Sequence, residues 1–323
     1  MLALVIEQLK PLPRDNRVHD ALIAWVGWTG RNFDAGRAHH TALVWGIAVL
    51  GPALAVLAVH LLLAPLGRLA TLALDVAVLY VTLGFRPFSH YFTGIRDHLE
   101  RGDEAAAGAL LAEWRHLDAS ELPRTELLRH VIEHALLAAH RHVFGVFFWF
   151  VLLSALGLGP TGAVLYRMAE FASRYWAFRS RTLDVPVNER LKLLSQQMFG
   201  WIDHVPARLT AFGFAVVGNF EEAVGGWRRD AGLWAHHNEG IILAAAAGAV
   251  GVQLGGSAAP GVTPDRSKTF TRGAGAEAEG AAGSTAGMPP QLAHLQSVVA
   301  LVWRSVILWL LLLALLTLAN LLG

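Results

Sequence analysis

The chain has no cysteine. That excludes disulfides and thiol chemistry, and it leaves the redox compartment unmarked. Charge is scarce as well: 16% of the 323 residues are Asp, Glu, Lys or Arg, against about 25% in an ordinary soluble domain. Neither sign dominates, because the net charge is +1, so there is no basic excess to recruit nucleic acid. No G-x-x-x-x-G-K-[ST] run occurs, which removes the P-loop as a phosphate cradle. The opening MLALVIEQLKPLP carries Glu7 and Lys10 and shows no cleavage site of a secretory leader.

What fills the chain is apolar sequence, 54% of all residues. A helix that crosses a bilayer needs about 20 mostly apolar residues. Residues 41–63 supply such a run without a formal charge, and 69–85 supply a shorter one that holds Asp75. Pro65 and Gly67 lie between them and suggest a hairpin. Residues 143–166 are uncharged up to Tyr166 but are interrupted by Gly157, Gly159 and Pro160, and 305–323 close the chain behind Arg304. Residues 209–218 and 241–254 are too short to cross alone and read as re-entrant or interfacial segments.

The expected fold is therefore all-α, a polytopic integral membrane protein with a cytoplasmic helical hairpin insertion. An amphipathic or partial membrane segment covers 1–40, a transmembrane hairpin 41–85, a soluble insertion 86–142, a membrane core 143–256, a low-complexity linker 257–294 and a final transmembrane helix 295–323. In the insertion, 90–114 reads as two arms broken at Gly102-Asp103, with Phe92, Ile95 and Leu99 on one face and Ala106, Leu110 and Trp114 on another. Arg31, Arg37, Arg86 and Arg96 flank the first hairpin and place the insertion in the cytoplasm by the positive-inside rule.

The stretch RHVIEHALLAAHRHVFGVFFWF, residues 129–150, admits three readings. His130, Glu133 and His134 match H-x-x-E-H, a zinc-protease helix pattern whose two imidazoles share one face. In a chain with 15 histidines that match is easily fortuitous. The second reading is a collar at the headgroup level, with His140, Arg141 and His142 ahead of an aromatic belt of Phe147, Phe148 and Trp149. The third makes part of the stretch an active site.

Several segments in order resemble the CobD/CbiB family, the adenosylcobinamide-phosphate synthases of cobalamin biosynthesis, and their relative AmpE. They are HYFTGIRDHLERGDEAAAGALL, FGVFFWF with LGPTGAVLYR, HVPARLTA, and NEGIILAAAAGAVGVQLGG. The resemblance covers roughly residues 40–256 and the last span. It also shows departures. Where the synthases carry Glu-Asn-Thr-Ser-Asp-Gly, this chain has residues 137–142, LAAHRH, after a retained Glu133. Family Asn and Asp positions fall on Glu170 and Ser173, an Asp pair falls near Phe199 and Gly200, and an expected Glu is Leu243.

The resemblance implies a bacterial inner-membrane, multi-pass protein that joins a corrinoid carboxylate to aminopropanol or its phosphate using ATP and magnesium. Its implied partners are the lipid bilayer, a corrinoid substrate and other cobalamin-pathway enzymes, with a homo-oligomer left open. Such chemistry needs carboxylates for the metal and cations for phosphoryl oxygens. Glu133, Arg167 and Arg208 are the candidate catalytic residues, and Tyr166, Asp203 and Asn238 the candidate substrate-binding residues; no metal ligand is assigned. Plainer roles compete: Arg167 and Arg208 could snorkel to headgroups, Glu133 could face solvent, and Asn238 could cap a helix. Asp203, His204 and Arg208 cluster on one or two turns unless Pro206 breaks them. The alternative function is a non-enzymatic AmpE-like regulatory or signalling protein of the inner membrane.

Overall fold

Runs of apolar residues without interior breakers become helices here, and the breaks fall where glycine or proline punctuates them. The computed structural model describes residues 17–33, 38–83, 85–115, 122–182, 188–256 and 284–322. Half of the 1–40 segment and the stretch 257–283 of the expected linker lie outside the described residues. The described helices are α1 (Arg17–Phe33), α2 (Ala38–Leu63), α3 (Arg68–Thr82), α4 (Phe85–Glu100), α5 (Glu104–Arg115), α6 (Arg124–Ala139), α7 (Gly145–Ala155), α8 (Thr161–Thr182), α9 (Glu189–Ile202), α10 (His204–Val217), α11 (Phe220–Asp230), α12 (His237–Val250) and α13 (Leu292–Leu322). The all-α expectation holds for them.

Among the described residues, three helical stretches are long and apolar enough to cross a membrane: His40–Leu66, Arg124–Ala155 and Leu292–Leu315. Only 17% of the most apolar window of the first and 28% of the third is buried inside protein. Their remaining apolar surface needs a lipid solvent. The second is 61% buried and forms the axis of the molecule.

Four expectations about the spans change. The run at 143–166 is not one helix: α7 ends at Ala155 and α8 begins at Thr161. Gly157 (φ 78°) and Gly159 (φ 57°) take the left-handed conformation that only glycine adopts freely. The Ser154 hydroxyl donates to the Gly159 carbonyl at 2.9 Å and closes the turn before Pro160. The span instead extends backward through α6. α8 carries Arg167, Glu170, Arg174 and Arg179 and is not among the three candidate spans. α3 has 15 residues, about 22 Å at 1.5 Å per residue, short of the roughly 30 Å hydrocarbon core. α13 starts at Leu292, ahead of the uncharged run at 305–323 and just inside the expected linker, which ended at 294.

α4 and α5 form the expected helical hairpin, turned at Gly102 (φ 78°). Asp103 Oδ1 accepts from the Ala106 amide at 3.0 Å and caps the second arm. Phe92, Ile95, Leu99 and Trp114 are buried as the spacing predicts, but the second arm otherwise buries Ala107 and Leu111, each one residue on from the expected Ala106 and Leu110. α12 is enclosed by protein: it is buried from Gly240 to Ala247 and packs against α10 and α11.

Two hydrophobic cores result. One joins α4 to α7 with α10, α12 and α13, and the other joins α1, α2, α8 and α9. Phe199 and Ile202 pack against both. The residues that follow them, at the α9–α10 junction, stand where the cores meet.

Candidate functional site

Asp203 lies at that junction, immediately before α10. An aspartate there ordinarily caps the helix by accepting from its free amides. Its side chain makes no cap bond. Oδ1 instead accepts from Tyr166 Oη at 2.7 Å and lies 2.7 Å from His140 Nε2. Oδ2 lies 3.4 Å from Asn238 Nδ2. An ionised carboxylate only accepts, so His140 Nε2 donates to it. His140 Nδ1 is 2.8 Å from Thr210 Oγ1 on α10. The result is a hydroxyl–imidazole–carboxylate chain whose three members are all buried.

The outer side of the cluster is half-buried. Asn238 Nδ2 donates to the Gly200 carbonyl at 2.9 Å, and its Oδ1 lies 3.4 Å from Arg208 Nη1. Arg208 also donates to the His204 carbonyl at 2.8 Å. Pro206 does not break α10, because it occupies the first turn, where a missing amide proton is harmless.

A second ionic cluster adjoins the first through Tyr166. Arg167 Nη1 reaches Glu170 Oε2 at 2.9 Å, and Arg174 Nη2 reaches the same oxygen at 3.3 Å. Arg141 donates to Glu239 at 2.6 Å. Burial alone would raise the Glu170 pKa, but Arg174, Arg167 and Arg141 outweigh it and hold the carboxyl below the ordinary 4.5. Burial pushes the Tyr166 hydroxyl well above its ordinary 10.0, and the charge of Asp203 adds to the effect. Tyr166 is thus a fixed hydrogen-bond donor at any working pH.

His140 and Arg141 reach different partners, Asp203 and Glu239, and lie where the helix widens between α6 and α7. Residues His140–Phe144 form a π turn, a feature that recurs at functional sites. Both side chains are buried in protein, so the headgroup collar is corrected: His140 is 1% exposed.

Of the candidate residues, Tyr166, Asp203, Arg208 and Asn238 come together around one carboxylate. Arg167 belongs to the adjoining ionic cluster. Glu133 lies elsewhere: its Oε1 accepts from the Gly255 amide at 2.7 Å, while Arg129 Nη1 donates to the Gly255 carbonyl at 2.7 Å. That clasp is continued by an antiparallel bridge between Gly255 and Ser284 and a parallel one between Val252 and Met288. The zinc pattern does not assemble. His130 Nδ1 is 3.9 Å from Glu133 Oε2, and His134 packs edge-on to Trp114 at 4.3 Å.

The residues present do not fit a preformed divalent-cation site. Among the described residues, no group of three or more His, Asp or Glu could hold a metal ion. Asp203 Oδ1 is taken by two donors, and Glu170 is held by two arginines. Sequence reasoning missed His140, Thr210 and Glu239. Thr210 and Glu239 sit inside the quoted HVPARLTA and NEGII segments, so a signal existed.

Four chain segments thus bring a buried carboxylate, an imidazole, a phenol and a half-exposed guanidinium together beside a membrane-length helix. Residues 1–279 match the family described as CobD/Cbib protein, and the chain belongs to that family. It is 32% identical over 285 residues to the cobalamin biosynthesis protein CobD of Stutzerimonas stutzeri, covering 87% of this chain and 84% of that one. It is 33% identical over 232 residues to the CobD of Chromobacterium violaceum, covering 67% of each. The CobD of Mycobacterium tuberculosis is 30% identical over 228 residues, covering 69% of this chain and 67% of the relative. No solved structure matches the chain. The chain is a membrane protein of a family linked to cobalamin biosynthesis.

Proposed function

We propose that the chain is a synthase of cobalamin biosynthesis, joining a corrinoid carboxylate to aminopropanol or its phosphate, with ATP as co-substrate, in the bacterial inner membrane. The observation that carries this reading is the convergence on Asp203 of His140, Tyr166 and Asn238, with Arg208 at the rim. Amide formation needs a base for the proton that leaves the attacking amine. Asp203 Oδ2, bonded only weakly to Asn238, serves as that base. ATP first converts the carboxylate to an acyl phosphate; as the C–N bond forms, the bond from the acyl carbon to the phosphate oxygen breaks, and charge gathers on the acyl oxygen and on the departing phosphate. Arg208 is placed to hold that charge. His140 and Tyr166 fix the carboxylate in place. No step is routed through a metal, because the donor set does not fit one. The helical hairpin α4–α5 faces the cytoplasm in this reading, where the corrinoid and the other pathway enzymes are found.

The test is a deletion strain and the purified protein in detergent. The strain should accumulate unamidated corrinoid, and the wild-type gene should restore the amide. The protein should form that amide only with ATP. Normal amide levels in the deletion strain would overturn the reading.

The missing carboxylate set favours one second reading, a non-enzymatic AmpE-like regulatory protein. It predicts no ATP-dependent amide synthesis and a phenotype under cell-wall stress.

A further inference from the structure

Asp203 has two oxygens in unlike surroundings, and the cause lies on a helix it does not touch. Tyr166 is fully buried, and its ring passes across the helix at Gly145. A Cβ built on Gly145 would lie less than 3.0 Å from Tyr166 Cζ, Oη and Cε1, closer than real Cβ atoms come. Gly145 immediately follows the π turn that presents His140. A single point on the helix axis therefore governs both donors to Oδ1: the turn aims the imidazole, and the absent side chain admits the phenol. Both bonds fall on Oδ1, at 2.7 Å each, and leave Oδ2 facing the half-buried Asn238.

We propose that Gly145 is a positioning residue: it seats Tyr166 on Asp203 Oδ1 and so selects Oδ2 as the oxygen that takes a proton from substrate. The inference rests on the functional reading above for its chemical part, but its structural part stands without it. The charged or titratable groups that face Asp203 are His140 from the π turn, Tyr166 from α8, and Arg208 from its own helix α10. Only Tyr166 depends on Gly145 for its place.

The structural part is tested with a double-mutant cycle in detergent, which needs no substrate. Gly145→Ala should lower the melting temperature in the wild-type background, because the methyl displaces the ring. In a Tyr166→Leu background the same change should be neutral or stabilising, since alanine favours helix over glycine and no ring is in the way. An equal loss in both backgrounds would overturn the proposal. If Gly145→Ala alone does not fold, recovery in the double variant supports it and continued failure overturns it.

The chemical part is read from kcat and KM of amide formation, expressed per folded protein. Tyr166→Phe and Gly145→Ala should both lower kcat with KM little changed, because substrate still binds while Oδ2 is no longer singled out, whereas a purely structural defect lowers the folded fraction and leaves kcat per folded protein unchanged. An unchanged kcat in both variants overturns the selection of Oδ2. If the wild-type protein makes no amide at all, it is the functional reading that fails; the melting cycle still decides the role of Gly145.

Discussion

Asp203 occupies a cap position and declines to cap, and this one residue organises the site. Its negative charge still favours the N-terminus of α10 through the helix dipole, while its lone pairs go to His140, Tyr166 and Asn238. Asp203→Asn should lower amide formation by about 10²–10⁴-fold, the usual worth of a positioned base. The helix content, followed by circular dichroism, should stay unchanged. Glu133 gives the contrasting case. Glu133→Gln keeps an acceptor for the Gly255 amide and should retain both melting temperature and product, whereas Glu133→Leu leaves that amide unbonded and should cost about 1–3 kcal/mol. Loss of product in the Gln variant at unchanged stability would restore Glu133 to the chemistry. Asp203, Arg208, Tyr166 and Asn238 were legible because each lies in an ordered motif with a definite neighbour. His140 was not. Its partner stands 63 residues away, and His142 and Arg141 beside it imitate a headgroup collar.

At the scale of elements, the π turn His140–Phe144 is the decisive piece. Deleting Val143 would restore α-helical spacing and rotate everything beyond it by about 100°. His140 and Tyr166 could then no longer share Asp203. The variant should lose product and melt at lower temperature, although the span keeps its apolarity; a variant with wild-type activity would show that the turn is incidental. Hydropathy could not reveal this turn, because HRHVF scores as the polar edge of a span whether or not the helix widens. Nor could it place the break at Gly157–Pro160, which was visible as an interruption but read as lying within one span. Its physical cause is a pair of left-handed glycines, and only the backbone path distinguishes a kink from a reversal. The α4–α5 hairpin was legible for the opposite reason: its Gly-Asp break and its apolar spacing are both local signals.

The whole molecule is two cores joined at the site and set among three membrane-length helices. It should stay with the membrane pellet through an alkaline carbonate wash and be released by detergent. Release by the wash alone would contradict the membrane reading. Acid stability belongs to this scale too, because α8 contributes to both cores and carries Glu170. Its pKa is held below 4.5 in the folded protein. The stability it contributes is therefore complete above about pH 4.5 and is lost as the pH falls through the lower folded value. Glu170→Gln should remove about 3–5 kcal/mol near neutrality, by leaving two buried guanidiniums without their counter-ion. It should also flatten the decline of melting temperature in acid. The number of apolar stretches could be estimated from composition and run length. Which faces meet protein and which meet lipid could not, since leucine serves both solvents equally.

The grip of Arg129 and Glu133 on Gly255, with the bridges from Val252 and Gly255 to Met288 and Ser284, ties both margins of the 257–283 stretch to the same place. The start of α13 is therefore anchored by contacts that lie outside residues 257–283, and a protease site engineered between those residues should yield two fragments that travel together until denatured.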